Sequence, residues 1–245
     1  LANLATILAN IRENIVSVPS ATEGRLVSWV QAAQLELEAA HQWLGLETEH
    51  VVDTVAGTRK LDDAPSDWHE AIGTPWYLTG DGKAVQMEWI PSLKDAMKDY
   101  SLDTATSARS APSALHEISD GIGGVLPDLN IYPLPDESNT TGVYSAAGEY
   151  EIHIPYRQRA GLLQTTGTTN NFFTDTPGFQ LFLEDYASGK AMLFNRDSNN
   201  AQVSFVQAQG HLQREKRIDK RRRAQYLVFT PRRGVHASRR QRRAV

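Results

Sequence analysis

The sequence predicts an α+β protein: a helical bundle of N- and C-terminal helices, a β-rich middle insertion and an extended basic C-terminal arm. Three observations carry this. Apolar residues recur at helical spacing at both ends of the chain, they alternate with polar residues in the middle, and the charge changes sign near residue 211. Helices and strands segregated in this order give α+β, not alternating βαβ units. The expected boundaries are 1–46 and 172–220 for the bundle core, 47–171 for the insertion and 221–245 for the arm. A length of 245 residues suits one large domain or two small ones. A hydrophobic content of 40% supports a core, yet is low enough that neighbouring subunits are expected to supply some apolar surface.

Leu4, Ile7, Leu8, Ile11 and Ile15 predict a short amphipathic helix ended by Pro19. Ser20-Ala21-Thr22-Glu23 reads as a capping box. The helix after it carries the packing stripe Leu26, Val30, Ala33, Leu37, Ala40 and Leu44, widened by Trp29 and Trp43. Ala33 and Ala40 leave room for a close partner helix, and Gly45 is the expected stop.

Val51, Val52 and Val55 run into Ala56-Gly57-Thr58, with Arg59-Lys60-Leu61 returning as a hairpin. Ser66-Asp67-Trp68 predicts a short helical turn. Pro75–Leu78 and Ala84–Ile90 pair around Gly80-Asp81-Gly82. A brief helix over 93–100 and a polar loop over 101–114 follow. Strands at 115–118 and 128–133 flank a turn at 121–124, and a polar loop covers 136–148. Tyr150, Ile152, Ile154 and Tyr156 alternate with polar neighbours, a half-buried strand that Pro155 assigns to a sheet edge.

A polar linker, 165–171, leads to two closing helices. The first carries Phe179, Leu181, Phe182, Leu183, Tyr186, Met192, Leu193 and Phe194. The second starts near Asn199 and holds Val203, Val206 and Leu212 before charge takes over. The five tryptophans are expected to fill the core at helix–sheet junctions.

From His211 onward thirteen Lys/Arg face only Glu215 and Asp219, a net charge of +11; the whole chain is −4, which leaves −15 on residues 1–210. The basic clusters Arg221-Arg222-Arg223, Arg232-Arg233, Arg239-Arg240 and Arg242-Arg243 are interrupted by Tyr226-Leu227-Val228-Phe229. Those apolar residues gain nothing from a phosphate backbone, and the arginine fork suits carboxylates as well as phosphates. Docking on a protein is one reading of the arm; a solvated tail that touches nucleic acid is the other.

No chemistry competes with these readings. The chain has no cysteine, which excludes disulfides, thiolate metal sites and thiol catalysis. It has no nucleophile elbow, P-loop or dinucleotide fingerprint. His116-Glu117-Ile118-Ser119-Asp120 opens like a zincin motif but closes on Asp, and the seven histidines make no pair at metal spacing. No catalytic, cofactor or metal residue is predicted, and no enzyme. No apolar run reaches the roughly 18 residues a membrane span needs, and no leader segment is expected.

Five motifs in order resemble the head-to-tail adaptor proteins of tailed, particularly short-tailed, bacteriophages. They are the helix end Leu35-Glu36-Leu37-Glu38-Ala39-Ala40-His41-Gln42-Trp43, the strand turn Val55-Ala56-Gly57-Thr58-Arg59-Lys60-Leu61 and the step Pro65-Ser66-Asp67-Trp68. Leu129-Asn130-Ile131-Tyr132-Pro133-Leu134-Pro135 and Asn170-Asn171-Phe172-Phe173 complete the set, which covers roughly residues 20–220. Residues 101–148 are longer and more polar than the family pattern, and the tail beyond Arg223 is richer in arginine. The resemblance implies a virion protein, made in the host cytoplasm, that forms a ring of twelve copies under the portal protein and meets the tail or nozzle protein. DNA would pass through the channel without sequence-specific binding. It also implies that the C-terminal segment extends against the portal; the basic clusters and their apolar insert predict docking there through Arg221, Arg222, Arg223, Tyr226, Leu227, Val228, Phe229, Arg232 and Arg233. The alternative is a nucleic-acid-binding protein with a disordered arginine-rich arm.

Overall fold

The computed structural model describes residues 3–15, 23–55, 57–61, 64–78, 83–92, 94–95, 111–118, 126–135, 150–163 and 171–229, without the side chains of 23 and 226–229. The capping box before Glu23, the turns at 80–82 and 121–124, the loops over 101–110 and 136–148, most of the brief helix over 93–100 and the linker 165–170 lie outside these residues. The chain divides into two compact units, Leu1–Leu44 with Gly161–Val245, and Gly45–Ala160.

The first unit is helical. Helix α1 (Leu4–Asn14) starts where the Asn3 side chain accepts the Thr6 N–H at 3.0 Å, and it buries Leu4, Ile7, Leu8 and Ile11. Helix α2 (Glu23–Ala40) buries Leu26, Val30, Ala33 and Leu37, while Ala40 and Leu44 are half-buried. It ends at Ala40, earlier than the glycine stop at Gly45. The chain turns back so that Trp43 enters the core and its indole N–H donates to the Leu37 carbonyl at 2.7 Å. That bond satisfies an end-of-helix carbonyl that lacks a helical partner. Residues 161–163 run beside α2, where the fully buried Gln34 and its neighbour Gln31 bind Gly161 and Leu163 through the backbone.

Helix α3 (Pro177–Phe194) contacts α1, α2 and the last helix, α4 (Ser198–Phe229). Asn171 prepares its start: the side-chain oxygen accepts the N–H groups of Phe173 and Thr174, both at 3.1 Å, an Asx-turn. Phe173 and Trp43 then both meet Phe179 edge-on, at 5.3 and 4.7 Å between ring centres. At Gly189 a Cβ would come within 2.9 Å of the Phe205 ring, so glycine is what lets α4 approach α3 this closely.

The second unit is built from two sheets. In the first, β8 (Glu151–Gln158) lies between β1 (Glu47–Asp53) on one side and β2 (Trp68–Ala71) and β3 (Trp76–Leu78) on the other, with β4 (Ala84–Gln86) beyond β3. The second sheet orders β5 (Glu88–Trp89), β6 (Ala114–Ile118) and β7 (Asp128–Tyr132). One core, including Val52, Trp68, Tyr77, Met87, Leu115, Leu129, Ile131, Ile152 and Ile154, draws on both sheets.

Three local expectations change. Pro155 does not mark an edge, because β8 is the central strand. Its carbonyl accepts the Ile72 N–H at 2.9 Å, and a strand residue's N–H and C=O point to the same side. The donor that proline lacks therefore falls where the facing chain passes from β2 to β3, beside Gly73 with φ 75°. The turn at Gly57 forms, with φ 70° and a Thr58 N–H to Val55 carbonyl bond of 2.9 Å. The returning residues, however, leave β1 and bind β7, through Ile131 N–H to the Arg59 carbonyl and Leu61 N–H to the Leu129 carbonyl, both at 2.9 Å. Trp68 opens strand β2 after a single tight turn to the Pro65 carbonyl. Its ring stacks on Tyr156 at 4.8 Å, and that packing outweighs the local helical signal.

The tryptophans each serve one unit. Trp43 and Trp68 are buried, and Trp29, Trp76 and Trp89 are half-buried, so they do not all fill a core. The Tyr156 hydroxyl donates to Asp67 at 3.0 Å, and burial, reinforced by that carboxylate, pushes its pKa up to about 12.

Candidate functional site

The sign change predicted near residue 211 falls inside one continuous helix. Helix α4 has 32 residues, about 48 Å at 1.5 Å per residue. Its buried positions are Ala201, Ser204, Ala208, Leu212, Glu215 and Asp219, a single stripe at spacings of three and four. The two acids of the basic segment are thus both on the inward face. Arg214, Arg217, Lys220, Arg221 and Arg222 are exposed, with Lys216 half-exposed. The helix sorts its charges by sign, and what it shows to solvent between residues 214 and 222 is cationic.

Each inward acid has structural work. Asp219 accepts the Leu44 backbone N–H at 3.0 Å on Oδ1, while on Oδ2 it meets His41 Nε2 at 2.9 Å and Arg223 Nε at 3.2 Å. The second arm of the Arg223 guanidinium donates to the Gln42 carbonyl. Together these bonds tie the chain just past α2 to α4. Glu215 lies over Gly178 in the first turn of α3, where the helix carries partial positive charge. A Cβ at residue 178 would sit 1.9 Å from Glu215 Oε1, so glycine makes the room.

Upstream, α3 and α1 face each other through polar groups as well. Asn10 Nδ2 donates to Glu184 Oε1 at 2.7 Å. Burial raises the Glu184 pKa; the Asn10 bond opposes the rise and the charge of Asp185 adds to it. Burial also raises Asp185, opposed by His211 of α4 at 3.4 Å.

The predicted docking residues separate accordingly. Arg221 is exposed on the outward face, and Arg222, seven residues after Glu215, is exposed on the line of the inward stripe beyond its buried part. Arg223 is directed inward and is held by Asp219 and Gln42. Tyr226, Leu227, Val228 and Phe229 form the last helical turn in the backbone, so residues 221–229 continue α4. Arg232 and Arg233 lie outside the described residues. Sequence reasoning missed the latch residues His41, Gln42 and Asp219. The helical spacing Leu212–Glu215–Asp219, which extends the apolar stripe, was the available signal.

The second unit holds a separate polar cluster. His153 stacks on Trp76 with 3.8 Å between ring centres, and lies 3.1 Å from Glu49 and 3.0 Å from Glu151. His116 is buried, which lowers its pKa, and its Nδ1 meets no hydrogen-bonding group among the described residues. Among the described residues no three His, Asp or Glu side chains are grouped to hold a metal ion, and no helix is long and apolar enough to cross a membrane.

A family model described as SU10 adaptor protein matches residues 2–236. No curated protein matches the chain. With nearly its whole length covered, the chain belongs to the SU10 adaptor family of phage adaptor proteins, in agreement with the motif resemblance to head-to-tail adaptors.

Proposed function

We propose that this adaptor works as a structural, non-catalytic ring of twelve copies under the portal, linking the DNA-filled capsid to the tail and lining part of the DNA channel. The observation that carries the reading is the sorting of charge on α4: Glu215 and Asp219 are buried, while Arg214, Arg217, Lys220, Arg221 and Arg222 are exposed. An exposed cationic helix face followed by further arginines suits an acidic protein surface. Repeated around a ring, each docked arm raises the effective concentration of the next. The −15 of residues 1–210 suits a passage through which DNA slides, since basic contacts would release counterions and hold it.

The test is co-sedimentation with purified portal. Because Arg223 is part of the internal latch, the informative truncation removes residues 226–245 and keeps it. The truncated chain should fold, losing from its circular dichroism only the last turn of α4, and fail to attach, while the full chain attaches. Attachment that survives truncation contradicts the docking role. Binding of the full chain to free DNA with a steep salt slope and none to portal would favour the nucleic-acid-binding reading instead.

A further inference from the structure

We propose that the outward faces of α2 and α4 are the two sides of the contact between neighbouring copies of this chain. The inference rests on the ring reading above and names the surfaces that would close it. On α4, Val203, Val206 and Gly210 point outward at spacings of three and four, with Val203 56% and Val206 65% exposed. Val206 borders a groove of about 460 Å3, lined also by Leu193, Ser198, Gln202, Phe205 and Gln209, none of them charged. On α2, Ser28, Ala32, Leu35 and Ala39 are all exposed at spacings of four, three and four, with Leu35 54% exposed. This stripe lies opposite the buried Leu26, Val30 and Leu37. Apolar and small residues repeating this way are what a helix presents to another helix.

Charge selects a second copy as the occupant. The outward face of α4 runs from the uncharged stretch into Arg214 and Arg217. That of α2 runs from Leu35 into the exposed Glu36, with the half-exposed Glu38 beside it. The exposed Arg25 opens the α2 face, so it is at their C-terminal ends that the two faces carry opposite sign. A parallel alignment that seats Leu35 at the Gln209 end of the groove brings Glu38 of one copy to about 3 Å along the axis from Arg214 of the next, at 1.5 Å per residue. The two patches differ, so the contact is head-to-tail, which builds a ring where the rotation between copies closes and does not build a two-fold dimer.

The absence of cysteine makes the test clean. Chains carrying Leu35→Cys are mixed with chains carrying Val206→Cys, assembled on portal, oxidised and run on a non-reducing gel. A third chain, Leu181→Cys, places a thiol at another exposed apolar position of the same unit. The expected result is a mixed 35–206 dimer as the main linked product, with only background for 35–181. The double variant Leu35→Cys/Val206→Cys should give a ladder of higher multimers. Portal-attached chains with no 35–206 link, or with equal linking to 181, overturn these surfaces and leave the adaptor reading standing. If the cysteine-free chain itself never attaches, the ring reading falls and this inference with it.

Discussion

Residues 198–213 of α4 contain no Lys, Arg, Asp or Glu, whereas residues 214–225 contain seven bases and two acids. The inward stripe nonetheless continues through the change without losing register. In the first stretch small side chains, Ala201, Ser204 and Ala208, fill it; in the second, Glu215 and Asp219 take the same positions. The contrast teaches that the charge reversal is a feature of the outer face. The inner face keeps folding the protein and spends both acids doing so, which leaves the outer face of one sign.

Substitutions can break that comparison at chosen points. The largest expected effect is at Leu212, buried at the junction of the two stretches. Leu212→Ala should cost about 2–5 kcal/mol of unfolding free energy in denaturant titrations, through lost burial and the cavity left behind. Asp219→Ala should cost about 2–3 kcal/mol, since it strands the Leu44 N–H and frees Arg223. A loss as small as that of a surface carboxylate would mean the latch is not formed in solution. Arg221→Glu with Arg222→Glu should change stability by no more than about 0.5 kcal/mol, as surface substitutions do. The same pair should sharply weaken portal attachment, so stability and docking come apart at adjacent residues.

The smallest effect is a pH slope on the α3 side of the bundle. Burial raises Glu184, so the folded state holds that proton to higher pH than the unfolded chain does. Its contribution is therefore greatest below the ordinary carboxylate value of about 4.3 and is lost as pH rises through the raised one. Glu184→Gln, which can still accept from Asn10, should flatten that part of the stability profile. An unchanged slope would show that the carboxyl titrates normally.

Much of the fold was legible because its signals were local. The spacing Leu4–Ile7–Leu8–Ile11 and the alternation Tyr150–Ile152–Ile154–Tyr156 each state which face is buried, and burial follows them. What was not legible depended on distant partners. Pro155 suits a central strand only because β2 gives way to β3 opposite it. Arg59–Leu61 return from a well-signalled turn, yet their hydrogen bonds go to β7. Helix α2 ends at Ala40 because Trp43 finds a place in the core, something Gly45 could not announce. For the candidate site, the sequence locates the basic segment and its bounds in charge. It does not distinguish Arg221 and Arg222, which are exposed, from Arg223, which lies one turn beyond Asp219 and reaches that carboxylate and the distant Gln42 carbonyl.

Electron microscopy of purified portal–adaptor complexes tests the central claim most directly. The account predicts twelve copies in a ring, with the cationic end of every α4 seated on portal surface and the acidic body lining the passage. A map in which those arginines project into the bore, or meet no protein at all, would contradict it.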